Sequence, residues 1–158
     1  AVLETNREVR YQLADIPLPN GVLRIDKVSV PQATTIRLGH YSLPKTEEFA
    51  IEQSSKIPEA MIIGNGDHKL ATLPLYGWDD TSVHITSGLH PASEECGLII
   101  NEKAVTGAHI MVTLHLWKKG DKAFTKKELT PVKDVKVAED LSYVEVTFAD
   151  NTVKQVKY

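Results

Sequence analysis

The sequence predicts an all-β fold, an antiparallel β-sandwich of jelly-roll or supersandwich type with about ten to twelve short strands and little or no helix. Two observations carry this prediction. Apolar and polar residues alternate at period two, most clearly where Ile110, Val112, Leu114 and Leu116 interleave with His109, Met111, Thr113, His115 and Trp117. Turn signals built from Gly, Pro, Asn and Asp recur roughly every ten residues. Against these, only the stretch from Lys45 to Ile57 tolerates a helical reading, and Phe49 and Ile57 do not form a stripe within it.

Taken in order, Glu8 to Leu13 reads as a first strand. Ile16-Pro17-Leu18-Pro19 then interrupts regular pairing, since neither proline can donate to a ladder. Asn20-Gly21 is a turn signal. Val22 to Val30 follows as a strand. Its apolar parity switches from Leu23/Ile25 to Val28/Val30, which predicts a bulge near Asp26-Lys27. Thr34 to Leu43 is a further strand, with Ile36, Leu38 and His40 on one face. Lys45 to Ile57 is read as a short strand or loop, ended by Pro58. Ala60 to Ile63 is a short apolar segment before the turn Gly64-Asn65-Gly66-Asp67.

The central unit, Leu70 to His90, is strand, aromatic turn, strand. Leu73 and Leu75 share one parity and Tyr76 takes the other; Val83 and Ile85 alternate with Ser82, His84 and Thr86 across the turn Gly77-Trp78-Asp79-Asp80. Pro91 to Glu95 reads as a loop or one helical turn, Cys96 to Ile100 as a strand and Asn101 to Gly107 as a loop. His109 to Trp117 is the clearest strand. Lys118 to Lys127 is a lysine-rich connection. The end is a meander: Val132 to Val137, Leu141 to Phe148 and Thr152 to Lys157.

Composition bounds the function. With 158 residues the chain is expected to form one domain, 1–158. A chain of about 150 residues buries roughly 70% of its unfolded surface, enough for a core without staples. The net charge of −3 gives no reason to expect nucleic acid or an anionic membrane as partner. Residues 118–158 carry nine of the 18 basic residues but only seven of the 21 acidic ones. Cys96 stands alone, so no internal disulfide forms. No apolar run reaches bilayer length. The start at Ala1, in charged and extended-looking sequence, leads us to expect a piece of a larger chain.

Chemistry-bearing motifs are sparse. His84/His90 and His109/His115 are each six apart, roughly 20 Å along a strand and too far to share one ion, so neither a metal nor a cofactor is expected. Asp79-Asp80 and Glu94-Glu95 are adjacent acids, which point to opposite faces of a strand and make no ready dyad. The second face of the His109–Trp117 strand carries Met, Trp and two His. Such a face is covered, either by a second layer of the same domain or by a neighbouring domain or ligand. Lys118, Lys119, Lys122, Lys126 and Lys127 read as a solvated edge or as a site for an acidic glycan. Trp78, Tyr76 and Trp117, flanked by Asp79 and His84, have the makeup of a carbohydrate contact: a sugar's C–H face stacks on a ring while its hydroxyls meet polar groups. Trp78 reads equally as a domain anchor or as a turn packed on itself.

The run ATLPLYGWDDTSVHITSGLHPASEECGLII resembles the β-sandwich portion that follows the helical toroid in bacterial polysaccharide-degrading enzymes of the heparinase II/III-like group. That resemblance covers about a fifth of the chain. It implies that most of the catalytic machinery lies outside this sequence, and no catalytic residue is assigned from it. The expected function is a non-catalytic accessory module of a secreted or periplasmic bacterial carbohydrate-active protein. The module packs on a neighbouring domain and holds polysaccharide, with Tyr76, Trp78, Asp79, His84 and Trp117 as the contact residues. Two alternatives stand beside it. One is a small jelly-roll enzyme using His84, His90, Asp79 and Glu94; the other is a structural or adhesion module.

Overall fold

Two strands of 24 residues each, β3 (Gly21–Pro44) and β8 (Cys96–Lys119), form the spine of the molecule. They pair antiparallel from Gly21↔Leu116 to Pro44↔Cys96. The computed structural model describes residues 2–5, 9–87 and 94–158. Around the spine lie β1 (Val2–Thr5), β2 (Val9–Leu18), β4 (Ala50–Gln53), β5 (Met61–Gly64), β6 (His68–Tyr76) and β7 (Asp80–Thr86). They complete an eight-stranded antiparallel sheet in the order β1-β2-β3-β8-β6-β5-β4, with β7 also on β8. A second sheet, β11-β10-β9, comprises β9 (Val132–Val137), β10 (Tyr143–Phe148) and β11 (Val153–Lys157). The helix α1 spans only Lys126–Leu129. The all-β, antiparallel expectation therefore holds, with eleven strands among the described residues. No described helix is long and apolar enough to cross a membrane.

The spine bends. Pairing slips between Val30 and Thr34, opposite Gly107, whose φ of 77° places the backbone in the left-handed region. Beyond that point the ribbon turns back over the sheet. The Tyr41 ring, on the far half of β3, lies 5.2 Å from that of His115 and 5.7 Å from that of Trp117. Leu43 and Ile99 from the far half cluster with Ile63 of β5 and Leu70 of β6. The result is three stacked layers: the small sheet, the main sheet and the returning ribbon.

Both faces of the main sheet are consequently covered. One carries the aliphatic stripe Ile110, Val112, Leu114 and Leu116, packed with Leu23 and Ile25 against Val144, Val146 and Phe148 of the small sheet. The other carries Met111, Thr113 and His115, each 3% exposed or less. The mixed face anticipated from Met, Trp and His is thus largely covered from within this chain. The parity switch in β3 has the same cause. Leu23 and Ile25 face the small sheet, whereas Val28 and Val30 face the returning ribbon. No bulge exists at Asp26-Lys27; pairing with β2 runs unbroken from Arg10↔Ser29 to Leu18↔Gly21.

Other local expectations are corrected. Ile16-Pro17-Leu18 stays within β2, and the turn is Pro19-Asn20. Pro17 is tolerated because β1 covers only Val9–Gln12, leaving the far edge of β2 open beyond it. Pro31 and Pro74 sit at pairing slips, where a missing N–H costs least. Asn101 to Gly107 is strand, not loop. The lysine-rich connection runs into α1, capped by Thr125 and Glu128 in a reciprocal capping box. The expected turn over Pro91–Ser93 lies outside the described residues.

Candidate functional site

The strands flanking the aromatic turn are not partners of each other. Both pair with β8, one after the other: Tyr76 with Val112 and Asp80 already with Glu102. The short turn 77–79 therefore spans a stretch over which β8 uses many more residues, and the β3–β8 ribbon arches over it. Trp78 fills the arch, half-buried against Val28, Val30, Val105 and Met111. Its Nε1 donates to Thr113 Oγ1 at 2.6 Å. The Asp79 carboxylate accepts from Lys103 Nζ at 2.8 Å and from the Ala104 N–H at 3.3 Å, while its own N–H donates to the Glu102 carbonyl. The Lys103 hydrogen bond, aided by that of Ala104, holds the Asp79 carboxyl below the usual carboxylate range.

Of the remaining residues singled out by the sequence, Tyr76 adjoins this turn, while His84 and Trp117 lie apart from it. Tyr76 ends β6 and is 43% exposed. His84 is exposed on β7 and shares a 3.0 Å hydrogen bond with Ser82 Oγ. Trp117 is 40% exposed and packs edge-on against Tyr41. It lies four residues beyond Thr113, roughly 13 Å further along β8. Trp78 and Asp79 thus form one group, Trp117 a second, and His84 a third. His90 lies outside the described residues. Among the described residues no group of three or more His, Cys, Asp and Glu is placed to hold a metal ion.

On the face of β8 opposite the Trp117 ring lies a groove that the sequence did not reveal. A hollow of about 370 Å³ is walled by Leu18, Leu116, Trp117, Phe124 and Pro131, with Asn20, Lys127 and Glu128 at its rim. A second hollow of about 500 Å³ shares Leu18, Lys127 and Pro131 with it. That one continues past Ile16, Phe148 and Thr152 to Asp150 and Lys154. Together they make a continuous cleft where the β2–β3 turn, α1 and the β10–β11 turn meet. The Trp117 N–H donates to the Asn20 carbonyl, which fixes the floor. Lys118 anchors the loop by donating to the Ala123 carbonyl and to Glu128 Oε1, its Nζ 5.6 Å from the Phe124 ring centre. The cleft's walls come from parts of the chain far apart in sequence, so only the lysines of residues 118–127 hinted at it.

A buried polar cluster was also missed. Asp26 is fully buried, and the Tyr11 hydroxyl donates to its Oδ1. Arg24 lies alongside, paired with Asp15 through Nε and Nη2 at 2.7 Å each. Burial pushes the Asp26 carboxyl up to about 6, against the opposing pull of the Tyr11 hydrogen bond and of Arg24. Burial and Asp26 together raise the Tyr11 hydroxyl well above its ordinary value. The sequence signal is Asp26 at the parity of Val28 and Val30 in the strand LRIDKVSV.

No protein-family model matches this chain, and no curated protein matches it significantly. Solved structures do. The crystal structure of heparan sulfate lyase HepC from Pedobacter heparinus superposes with a TM-score of 0.60 at 12% identity, over 99% of this chain and 25% of that one. A mutant of the same lyase gives 0.61 at 12% identity. A heparinase III gene product with methylated lysines gives 0.58 at 16% identity, over 96% of this chain and 23% of that one. The chain therefore has the fold of one portion of these heparinases and spans about a quarter of their length.

Proposed function

We propose that this chain is a non-catalytic β-sandwich accessory module of a secreted or periplasmic bacterial protein that degrades polysaccharide. In this reading it packs on a neighbouring domain and contributes glycan contacts through residues among Tyr76, Trp78, Asp79, His84 and Trp117. The observation that carries the proposal is the fold likeness: nearly the whole chain superposes on a quarter of a protein named as a heparan sulfate lyase. The site geometry refines the division of labour. Trp78 and Asp79 are engaged in holding the ribbon arch, so they act as supports. Trp117 and Tyr76 keep about two-fifths of their surface exposed and are the stacking candidates.

The test is a titration of neutral and acidic oligosaccharides followed by tryptophan fluorescence, with Trp117→Phe and Trp78→Phe separating the two signals. The expected result is a saturable change lost in Trp117→Phe. A flat response to every saccharide removes the glycan half of the proposal. Formation of unsaturated sugar ends by the isolated chain would overturn its non-catalytic half and favour the small-enzyme alternative.

A further inference from the structure

We propose that the outer edge of β7, Asp80–Thr86, is a self-association surface. A second copy of this chain adds its own β7 there, antiparallel, about a twofold axis through Val83. The returning ribbons of the two copies then continue as one sheet across the dimer. This goes beyond the accessory-module reading and does not depend on it.

β7 pairs on one side only, with β8 from Asp80↔Glu102 to Thr86↔Cys96, and no described strand pairs with its other side. An unpaired edge is a template for another strand unless something blunts it. Other edges among the described residues are blunted. β2 past Gln12 carries Pro17, and β6 past Thr72 carries Pro74. β9 and β11 carry two lysines each. β1 and β4 are only four residues long. The far half of β3 borders a groove floored by Val9, Tyr11 and Val28, so the main sheet stands beside that edge. β7 has none of these protections. Its seven residues include no proline, lysine or arginine, and its one acid, Asp80, sits at the first position.

The strand is complementary to itself. A twofold axis normal to the sheet sets residues of like parity opposite each other, and an axis at Val83 engages all seven. Val83 then meets its own copy, Ile85 meets Thr81, Ser82 meets His84 and Asp80 meets Thr86. No like charges oppose, and the two Asp80 carboxylates stay at opposite ends of the pair. An axis at Ser82 or at His84 pairs only five residues, and the latter sets imidazole against imidazole. The apolar groups follow the same register. Val83 packs with Ile63 of β5 in the layer below, and Ile85, on the same face of β7, is 42% exposed. The outer neighbour of β5 is β4, whose Ile51 is 58% exposed. A second copy therefore finds two isoleucines to cover on this side of the molecule. The pair adds about six to eight ladder hydrogen bonds. It buries well under about 1,000 Å², which makes the dimer weak and dependent on concentration.

The test is sedimentation equilibrium of the 158-residue chain. Between about 1 µM and about 1 mM, the expected result is a monomer–dimer equilibrium with a Kd of about 10–500 µM that stops at the dimer. Ile85→Lys puts a cation on each paired strand and is expected to raise that Kd about tenfold or more. Val153→Lys makes the same change at an exposed position of β11 and is expected to shift it by less than about twofold. Both side chains are exposed, so folding is expected to survive, and thermal melting checks it. Oxidative cross-linking with diamide reads the register independently, through two designs: Val83→Cys, and Ser82→Cys combined with His84→Cys. The close pairs of an antiparallel ladder, with Cα atoms about 4.5 Å apart, fall at one parity or the other. One design is therefore expected to yield a covalent dimer, while the parent chain, whose Cys96 is buried, yields none. A chain still monomeric at about 1 mM overturns the proposal. Equal shifts in the two lysine variants, or association that runs past the dimer, also overturn it. A dimer that neither cysteine design traps places the contact elsewhere and overturns the assignment to β7.

Discussion

Asp26 is the only fully buried acid among the described residues, and its environment makes it a liability above neutral pH. Its folded-state value of about 6 is raised from the ordinary aspartate value by burial. A group whose value is raised on folding contributes stability that is complete below the unfolded value, near 4, and is lost as pH climbs through 6. Asp26→Asn keeps an acceptor for the Tyr11 hydroxyl and removes the buried charge. We expect urea unfolding at pH 7.5 to show this variant more stable than the parent by about 1–3 kcal/mol, with the advantage vanishing near pH 4. Equal stability at both pH values would contradict the assignment. The position is visible in the sequence as an acid at the parity of Val28 and Val30, but its partner is not. Tyr11 meets it across a strand pair whose register depends on the Pro19-Asn20 turn, and the sequence alone placed that turn one residue late. Trp78 shows the same limit: its sequence admits a turn packed on itself, yet the covering groups, Val30, Val105 and Thr113, arrive from two other strands.

Two glycines separate the forces acting on the elements. Gly77 opens the aromatic turn at φ 80°, and a Cβ there would stand well inside the reach of the Ile110 carbonyl oxygen. Gly107, at the ribbon's bend, has φ 77° but open space where a Cβ would go. Both substitutions to Ala incur the left-handed backbone cost, about 1–2 kcal/mol. Only Gly77→Ala adds a clash with main chain that cannot swing away, so its expected cost exceeds about 3 kcal/mol. Denaturant midpoints compare the two directly, and equal losses would show that the arch is not closely packed at this turn. Gly107 also explains why Asn101–Gly107 reads as a loop in the sequence. Its polar residues and terminal glycine imitate a connection, but a single bulge lets the strand continue while redirecting it. The closing meander was read nearly residue for residue, because its three strands alternate cleanly and each turn has its own Asp or Asn.

Across the whole molecule, the small sheet and the main sheet share one apolar layer in which Val144, Val146 and Leu114 are almost wholly buried. Val146→Ala opens that layer and is expected to cost about 2 kcal/mol. Because the layer belongs to both sheets, amide exchange in β8 and in β10 should accelerate together in this variant. Faster exchange confined to β10 would show the small sheet opening on its own. The layering explains what the sequence concealed. Period-two patterns report that a face is covered, but not whether a neighbouring sheet or the same strand folded back provides the cover.

The pairing of Gly21 with Leu116 has a temporal consequence. The β2–β3 hairpin needs only neighbours in sequence and is free to form early. Its next partner in the sheet, the far end of β8, is synthesised about 95 residues after Gly21. Until then a long strand edge waits unpaired. Such high contact order makes for slow folding and a nascent chain that depends on being kept apart from others like it.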